Sequence, residues 1–215
     1  YVFEELIRKF NEENNEEAGE HFTPREVIEL MTQIVFDPIK DQLPPVLTIY
    51  DPACGSGGML TETQNFIKDE EGAIQAKGDV YLYGKEINDE TYAICKSDMM
   101  IKGNNPENIR VGSTLSTDEF SGNTFDFMLS NPPYGKSWNT DLKYIKDGKD
   151  IIDPRFVVTL KDYWGNSEEV DAAPRSSDGQ LLFLMEMVNK MKSLSQSPLG
   201  SRIASVHNGI SSHSP

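Results

Sequence analysis

The chain has few cysteines, no long apolar run and a shortage of positive charge, and each lack removes a class of explanation. Its only cysteines, Cys54 and Cys95, lie far apart and show no framework spacing. That excludes a disulfide scaffold and suits a reducing cytosol. His21, His207 and His213 are scattered without ligand spacing, so no metal site is expected. No stretch approaches the length needed to span a bilayer, and the opening YVFEELIRKF is charged throughout, unlike a signal peptide. The expectation is a cytoplasmic protein with no membrane partner. With 20 Lys+Arg against 35 Asp+Glu, the formal charge of −15 opposes polyanion binding by the chain alone. A nucleic-acid substrate would have to be held by a local basic surface or by a partner. Repeats and low-complexity tracts are absent as well.

What is present suffices for one domain with a substantial core in 215 residues. Residues 1–20 read as a helical extension followed by an acidic linker, NEENNEEAGE. The remainder, 21–215, reads as the main domain. Its first helix, within 21–36, opens with Thr23 as N-cap, Pro24 at the first helical position and Glu26 behind them. Strands are expected at 44–51, 78–87, 107–113, 125–130 and 201–210, with helices at 59–70, 88–103 and 180–194. Asn88 caps the second of these helices and Gly103 ends it. Alternating strands and helices predict a doubly wound, mostly parallel α/β sheet. Between 135 and 179 the chain reads as a long flexible insertion, with Lys136, Lys143, Lys146, Lys149, Arg155 and Lys161 set among aspartates. Its near-neutral charge in an acidic chain suggests a segment that closes over a polyanion. The Met-rich 181–191 face is read as core.

Three strand ends carry chemistry. DPACGSGG, 51–58, is a strand, a glycine turn and a helix start, the geometry in which free backbone N–H groups face a ligand. It is neither a GxGxxG fingerprint nor a P-loop. Glu86 stands at the end of the next strand, placed for a ribose diol. Cys54 reads as a small packed residue and not a reactive thiol. At the end of the fourth strand, in FDFMLSNPPY, Pro132 and Pro133 stop the ladder and leave Asn131 and Tyr134 on a rigid loop. The carboxyl edge of an open α/β sheet is where ligands bind.

DPACGSGG, YGKEIN and NPPY, in that order, resemble the motifs of amino-methyltransferases that use S-adenosylmethionine. With the upstream GEHFTPREVIELM, the chain is similar from about residue 19 to 210 to the modification subunit of type I restriction-modification systems, an adenine-N6 DNA methyltransferase. The resemblance implies a Rossmann-like methyltransferase fold, with the usual final strands not accounted for and the chain a partial one. Phe22, Thr23 and Pro24 would then border the cofactor's methionine end. Asp51, Pro52 and the turn Ala53, Cys54, Gly55, Ser56 and Gly57 would cradle it, and Glu86 with Ile87 would hold the nucleoside. The family often has an acidic residue at the cofactor's adenine, at the position where this chain has Ser113. A serine there can donate or accept a hydrogen bond but brings no charge.

An adenine amine is a poor nucleophile because its lone pair is delocalised into the ring. Two acceptors, the Asn131 side-chain oxygen and the Pro132 carbonyl, could bind its two hydrogens and aim the lone pair at the methyl group. Pro133 stiffens the loop, and Tyr134 would stack on an adenine flipped out of double-stranded DNA. Implied partners are a specificity subunit and a restriction subunit. The residues alone leave open a protein-glutamine or RNA-adenine methyltransferase, or a catalytically silent cofactor-binding scaffold.

Overall fold

The computed structural model describes residues 23–135, 137–175 and 178–207. The helix expected in 1–20, Phe22, His21, Lys136 and His213 lie outside them. Helix α1, Arg25–Phe36, buries Ile28, Met31, Thr32, Val35 and Phe36, a stripe at helical spacing. Helix α2, Gly58–Lys68, and helix α3, Asp89–Ile101, cover the same face of the sheet. Cys95 and Met99 of α3 share one core with Leu47, Ile49, Leu82, Phe127 and Leu129.

Five parallel strands form the sheet: β1 Val46–Asp51, β2 Asp79–Glu86, β3 Ile109–Val111, β4 Phe127–Ser130 and, after the insertion, β9 Arg202–Ser205. Their order is β3-β2-β1-β4-β9. All four residues of β4 are buried. Phe127 and Leu129 face helices α1 to α3, whereas Met128 packs with Tyr50, Phe120, Phe125 and Met187 on the other face. A strand covered on both sides need not show polar alternation, and the Phe127-Met128-Leu129 run shows none. Phe125 itself precedes the ladder, making an isolated bridge to Met191, so the strand is shorter than the sequence suggests. The register of β4 is pinned by Asp126, which accepts hydrogen bonds from Thr48 N at 3.0 Å and Thr48 Oγ1 at 2.8 Å.

The chain runs outward from β1 to β3 and then returns to β4 on the far side of β1. That reversal opens a crevice at the carboxyl ends of β1 and β4. Helix α5, Gln180–Asn189, covers the second face with Leu182, Phe183, Glu186 and Met187 buried, so the Met-rich stretch is largely core.

The segment read as a flexible, irregular insertion is built of regular pieces. It contains the short helix α4, Leu142–Ile145, an antiparallel pair β5 Lys146–Asp147 with β6 Asp150–Ile151, and a hairpin of β7 Val157–Lys161 with β8 Ser167–Asp171. Arg155 fixes it to the body. Its side chain is 4% exposed and donates to Glu186 Oε2 at 3.0 Å, Asp153 Oδ2 at 2.6 Å and the Thr114 carbonyl at 2.8 Å. Burial opposes the charge, but Asp153 and Glu186 more than compensate and raise the guanidinium pKa. Arg155 is thus a structural anchor and not a cation facing a polyanion, and Lys146 is paired with Asp171. Among the described residues no helix is long and apolar enough to cross a membrane.

Candidate active site

The crevice holds a cavity of about 310 Å³, within the range for small-molecule sites. At its centre Asp51 ends β1, 2% exposed. Its Oδ1 accepts from Ser130 Oγ at 2.7 Å and from Ala53 N at 3.0 Å. Burial, with a smaller push from the charge of Glu86, raises the carboxyl pKa to about 7 against the lowering effect of those two donors. A carboxylate held at such cost is suited to a cationic ligand group.

Pro52, Ala53, Cys54, Gly55, Ser56 and Gly58 continue the wall. Gly55 has φ 55°, a left-handed conformation natural to glycine. Gly57, expected in the cradle, lies off the wall. Its φ is 87° and a Cβ there would sit 2.8 Å from Cys95 Sγ, so its role is close packing of the turn on α3. Cys54 and Cys95, remote in sequence, meet at 4.0 Å between sulfurs. Both are buried and free. Their mutual hydrogen bond and burial push the Cys54 thiol up, which fits an inert packed residue.

Glu86 ends β2. Oε2 accepts from Gly55 N at 2.9 Å and Oε1 from Asn88 N at 2.8 Å, tying the glycine turn to the cap of α3. Each oxygen keeps a further acceptor direction. Ile87, beside it, is exposed at the cavity's rim.

Asn131 and Pro133 reach the rim from the end of β4. Pro132 is buried, and neither it nor Tyr134 lines the cavity. Asn131 Nδ2 donates to Thr23 Oγ1 at 3.2 Å, and Tyr134 Oη donates to Asn131 Oδ1. The amide is therefore held at both ends. Thr23 is not the N-cap that its sequence context suggests: α1 begins at Arg25, the cap position is Pro24, and no side chain caps it. The Thr23 hydroxyl is instead committed to Asn131, and Pro24 stands exposed off the cavity.

Several site residues escaped the sequence. Ser130 positions Asp51. Lys85, 1% exposed, donates to Thr117 Oγ1 at 2.7 Å and braces the loop after β3, burial lowering its pKa to about 8. From the insertion, Ser137, Trp138, Thr140 and Asp141 close the β3 end of the cavity. Trp138 is buried and its Nε1 donates to the Arg175 carbonyl at 2.8 Å. Ser113 lines the cavity and donates to Asp141 Oδ1 at 2.8 Å. The one available signal was Trp138, an aromatic soon after NPPY in an otherwise polar stretch. His207, to which the sequence assigns no role, has both ring nitrogens buried without a partner among the described residues.

This sheet order, with a nucleotide-sized cavity at its switch point, is the fold of the class I methyltransferases. A modification subunit assigned to a type I restriction enzyme from Vibrio vulnificus superposes with TM-score 0.61 at 18% identity, over 95% of this chain and 37% of that one. The type I restriction-modification methyltransferase subunit from Streptococcus thermophilus gives TM-score 0.55 at 27% identity, over 79% of this chain and 31% of that one. The N-6 DNA methylase family matches residues 1–194, and the chain belongs to that family. The methylase subunit of the type I restriction enzyme MpnII from Mycoplasma pneumoniae is 32% identical over 152 residues, 66% of this chain and 26% of that protein. The chain thus spans about a quarter of the length of the curated relatives it matches.

Proposed function

We propose that the cavity binds S-adenosylmethionine and that the Asn131 loop presents the N6 amine of a DNA adenine to its methyl group, as part of the modification subunit of a type I restriction-modification complex. The observation that carries this reading is the placement of Asn131 at the rim of a cavity whose inner wall is Asp51, the glycine turn and Glu86.

The residues fit the cofactor. The buried Asp51 carboxylate suits an α-ammonium, the Ala53 to Ser56 turn gives close backbone approach, and the spare acceptor directions of Glu86 suit a ribose diol. When bound, S-adenosylmethionine supplies an electrophilic sulfonium methyl. Asn131 Oδ1 and the Pro132 carbonyl accept the amine's two hydrogens, which localises the nitrogen lone pair and aims it at that carbon. The amine nitrogen, held by Asn131 and Pro132, would take the methyl group in exchange for the bond to the thioether leaving group, and its surplus proton would leave to solvent. The Tyr134 hydroxyl must first leave Asn131, and its ring can then stack on the flipped base. No covalent enzyme intermediate is needed.

The net charge of −15 supports a division of labour in which a specificity subunit supplies most phosphate contacts and the recognition sequence, and a restriction subunit joins the same complex. The test is transfer of tritiated methyl from S-adenosylmethionine to unmethylated DNA, with and without the specificity subunit, and digestion of the product to nucleosides. N6-methyladenine that disappears in Asn131→Ala is the expected result. Label in RNA or protein in place of DNA would overturn the reading.

A further inference from the structure

The sheet gives the cavity a direction. Because the strands run β3-β2-β1-β4, their carboxyl ends set Ser113, Glu86, Asp51 and Asn131 in a row along one wall. A nucleoside cofactor that turns its methyl toward Asn131 and its diol toward Glu86 must place its base at the far end, beside Ser113. That end is not closed by the sheet. It is closed by the insertion, which brings Asp141 into the cavity wall next to Ser113.

Asp141 is held in place and still has capacity to bind. Ser113 Oγ donates to its Oδ1 at 2.8 Å, Thr140 Oγ1 donates to its Oδ2 at 3.3 Å, and Leu115 N donates to Ser113 Oγ at 3.2 Å. Since a carboxylate oxygen accepts in about two directions, each Asp141 oxygen keeps one. The surrounding wall is apolar, with Leu115, Trp138 and Phe183 in one packed cluster. Apolar walls around one fixed acceptor-only group make a site for a flat heterocycle that offers a donor at its edge. A carbonyl in the same place would face the carboxylate acceptor to acceptor, and leaving such groups unmatched is what gives polar sites their discrimination.

We propose that Asp141, oriented by Ser113, accepts a hydrogen bond from the exocyclic amine of the cofactor's adenine and makes the site select an aminopurine over an oxopurine. This rests on the S-adenosylmethionine reading of the cavity. It assigns a cofactor-selecting role to the insertion, which the sheet-end motifs do not include.

The experiment is calorimetric titration of the protein with S-adenosylhomocysteine and with S-inosylhomocysteine, whose base carries a carbonyl where adenine has its amine. The unaltered protein is expected to favour the adenine ligand by about tenfold or more. Asp141→Asn offers a donor amide in the same volume and should narrow or reverse that preference. Asp141→Ala should weaken only the adenine ligand, by about tenfold, the usual scale of one charged hydrogen bond. If both variants weaken the two ligands equally, Asp141 only braces the insertion and the proposal is overturned while the cofactor reading stands. If the unaltered protein binds neither ligand, the cofactor reading falls and takes this proposal with it.

Discussion

Replacing Asp51 by Asn should make the protein more stable and a poorer binder, with a pH dependence that identifies the cause. Burial raises the Asp51 pKa from 3.8 to about 7. A rise of about three pH units at 1.36 kcal/mol each corresponds to ~4 kcal/mol by which the folded state disfavours the ionised form. The group is fully buried, so screening does not reduce this. The sign follows from proton counting. Between about pH 4 and pH 7 the folded chain holds a proton that the unfolded chain has lost, so stability falls as pH rises through that window and levels off above it. Asn keeps an acceptor for Ser130 Oγ and Ala53 N but brings an amide donor that needs a partner, at about 1–3 kcal/mol. The net gain at pH 8 is then about 1–3 kcal/mol, or roughly 2–10 °C in Tm for a chain of this size.

Thermal melts of both proteins from pH 4.5 to pH 8.5 test this. The Asn variant should melt higher at pH 8 and the gap should close toward pH 4.5. The same series with S-adenosylhomocysteine should show ligand stabilisation that weakens below about pH 7 in the unaltered protein, by up to tenfold in affinity per pH unit for one coupled proton. In the variant it should be small and flat. A variant less stable at pH 8, or a gap that does not change with pH, would refute the argument that Asp51 is kept strained for a cation.

Other perturbations separate positioning from packing. Tyr134→Phe removes the hydroxyl bonded to Asn131 but keeps the ring, so KM for DNA should fall by about 2–10-fold, whereas Tyr134→Ala should raise it through lost stacking of about 1–3 kcal/mol; steady-state kinetics distinguishes the two. Thr23→Val frees the Asn131 amide from its partner at 3.2 Å, and kcat should drop several-fold, by more than any change in S-adenosylhomocysteine affinity at this cavity-lining position. Arg155→Met leaves Glu186 and Asp153 without their shared cation, a loss on the order of 3–5 kcal/mol that limited proteolysis should locate between 135 and 179. Gly57→Ala puts a Cβ within 2.8 Å of Cys95 Sγ at φ 87°, costing about 1–3 kcal/mol as read by urea titration.

The parts of the site that were readable in the sequence are those coded by adjacent residues. A glycine turn after a β-branched strand, a carboxylate at the next strand's end and two prolines after an apolar run are each local, and each lies where the sequence puts it. The unreadable parts are pairings across the chain. Thr23 sits in a strong capping context, Thr-Pro-Arg-Glu, yet its hydroxyl bonds to a side chain 108 residues away. Ser113 gave no hint that a carboxylate 28 residues on would join it. The insertion looked irregular because its strands are only two to five residues long, and because Arg155, which fixes them, resembles its exposed neighbours until Glu186 is brought beside it.

Those long-range pairings also divide the cavity into a fixed end and an exchangeable one. The loop after β3 is clamped from two sides. Lys85 holds it at Thr117, and Arg155 holds it at the Thr114 and Leu115 carbonyls. Both clamps are buried cations, whose loss would leave several acceptors unpaired. At the opposite end, among the described residues, the acceptor on Asn131 is covered by the hydroxyl of Tyr134, a residue 38% exposed. Replacing that single hydrogen bond with one to an adenine amine costs little, because one donor replaces another. The base end can therefore open and close without disturbing the cofactor end. On the proposed function, this favours a cofactor bound in a preformed site before the base arrives, with Tyr134 occupying Asn131 until it does.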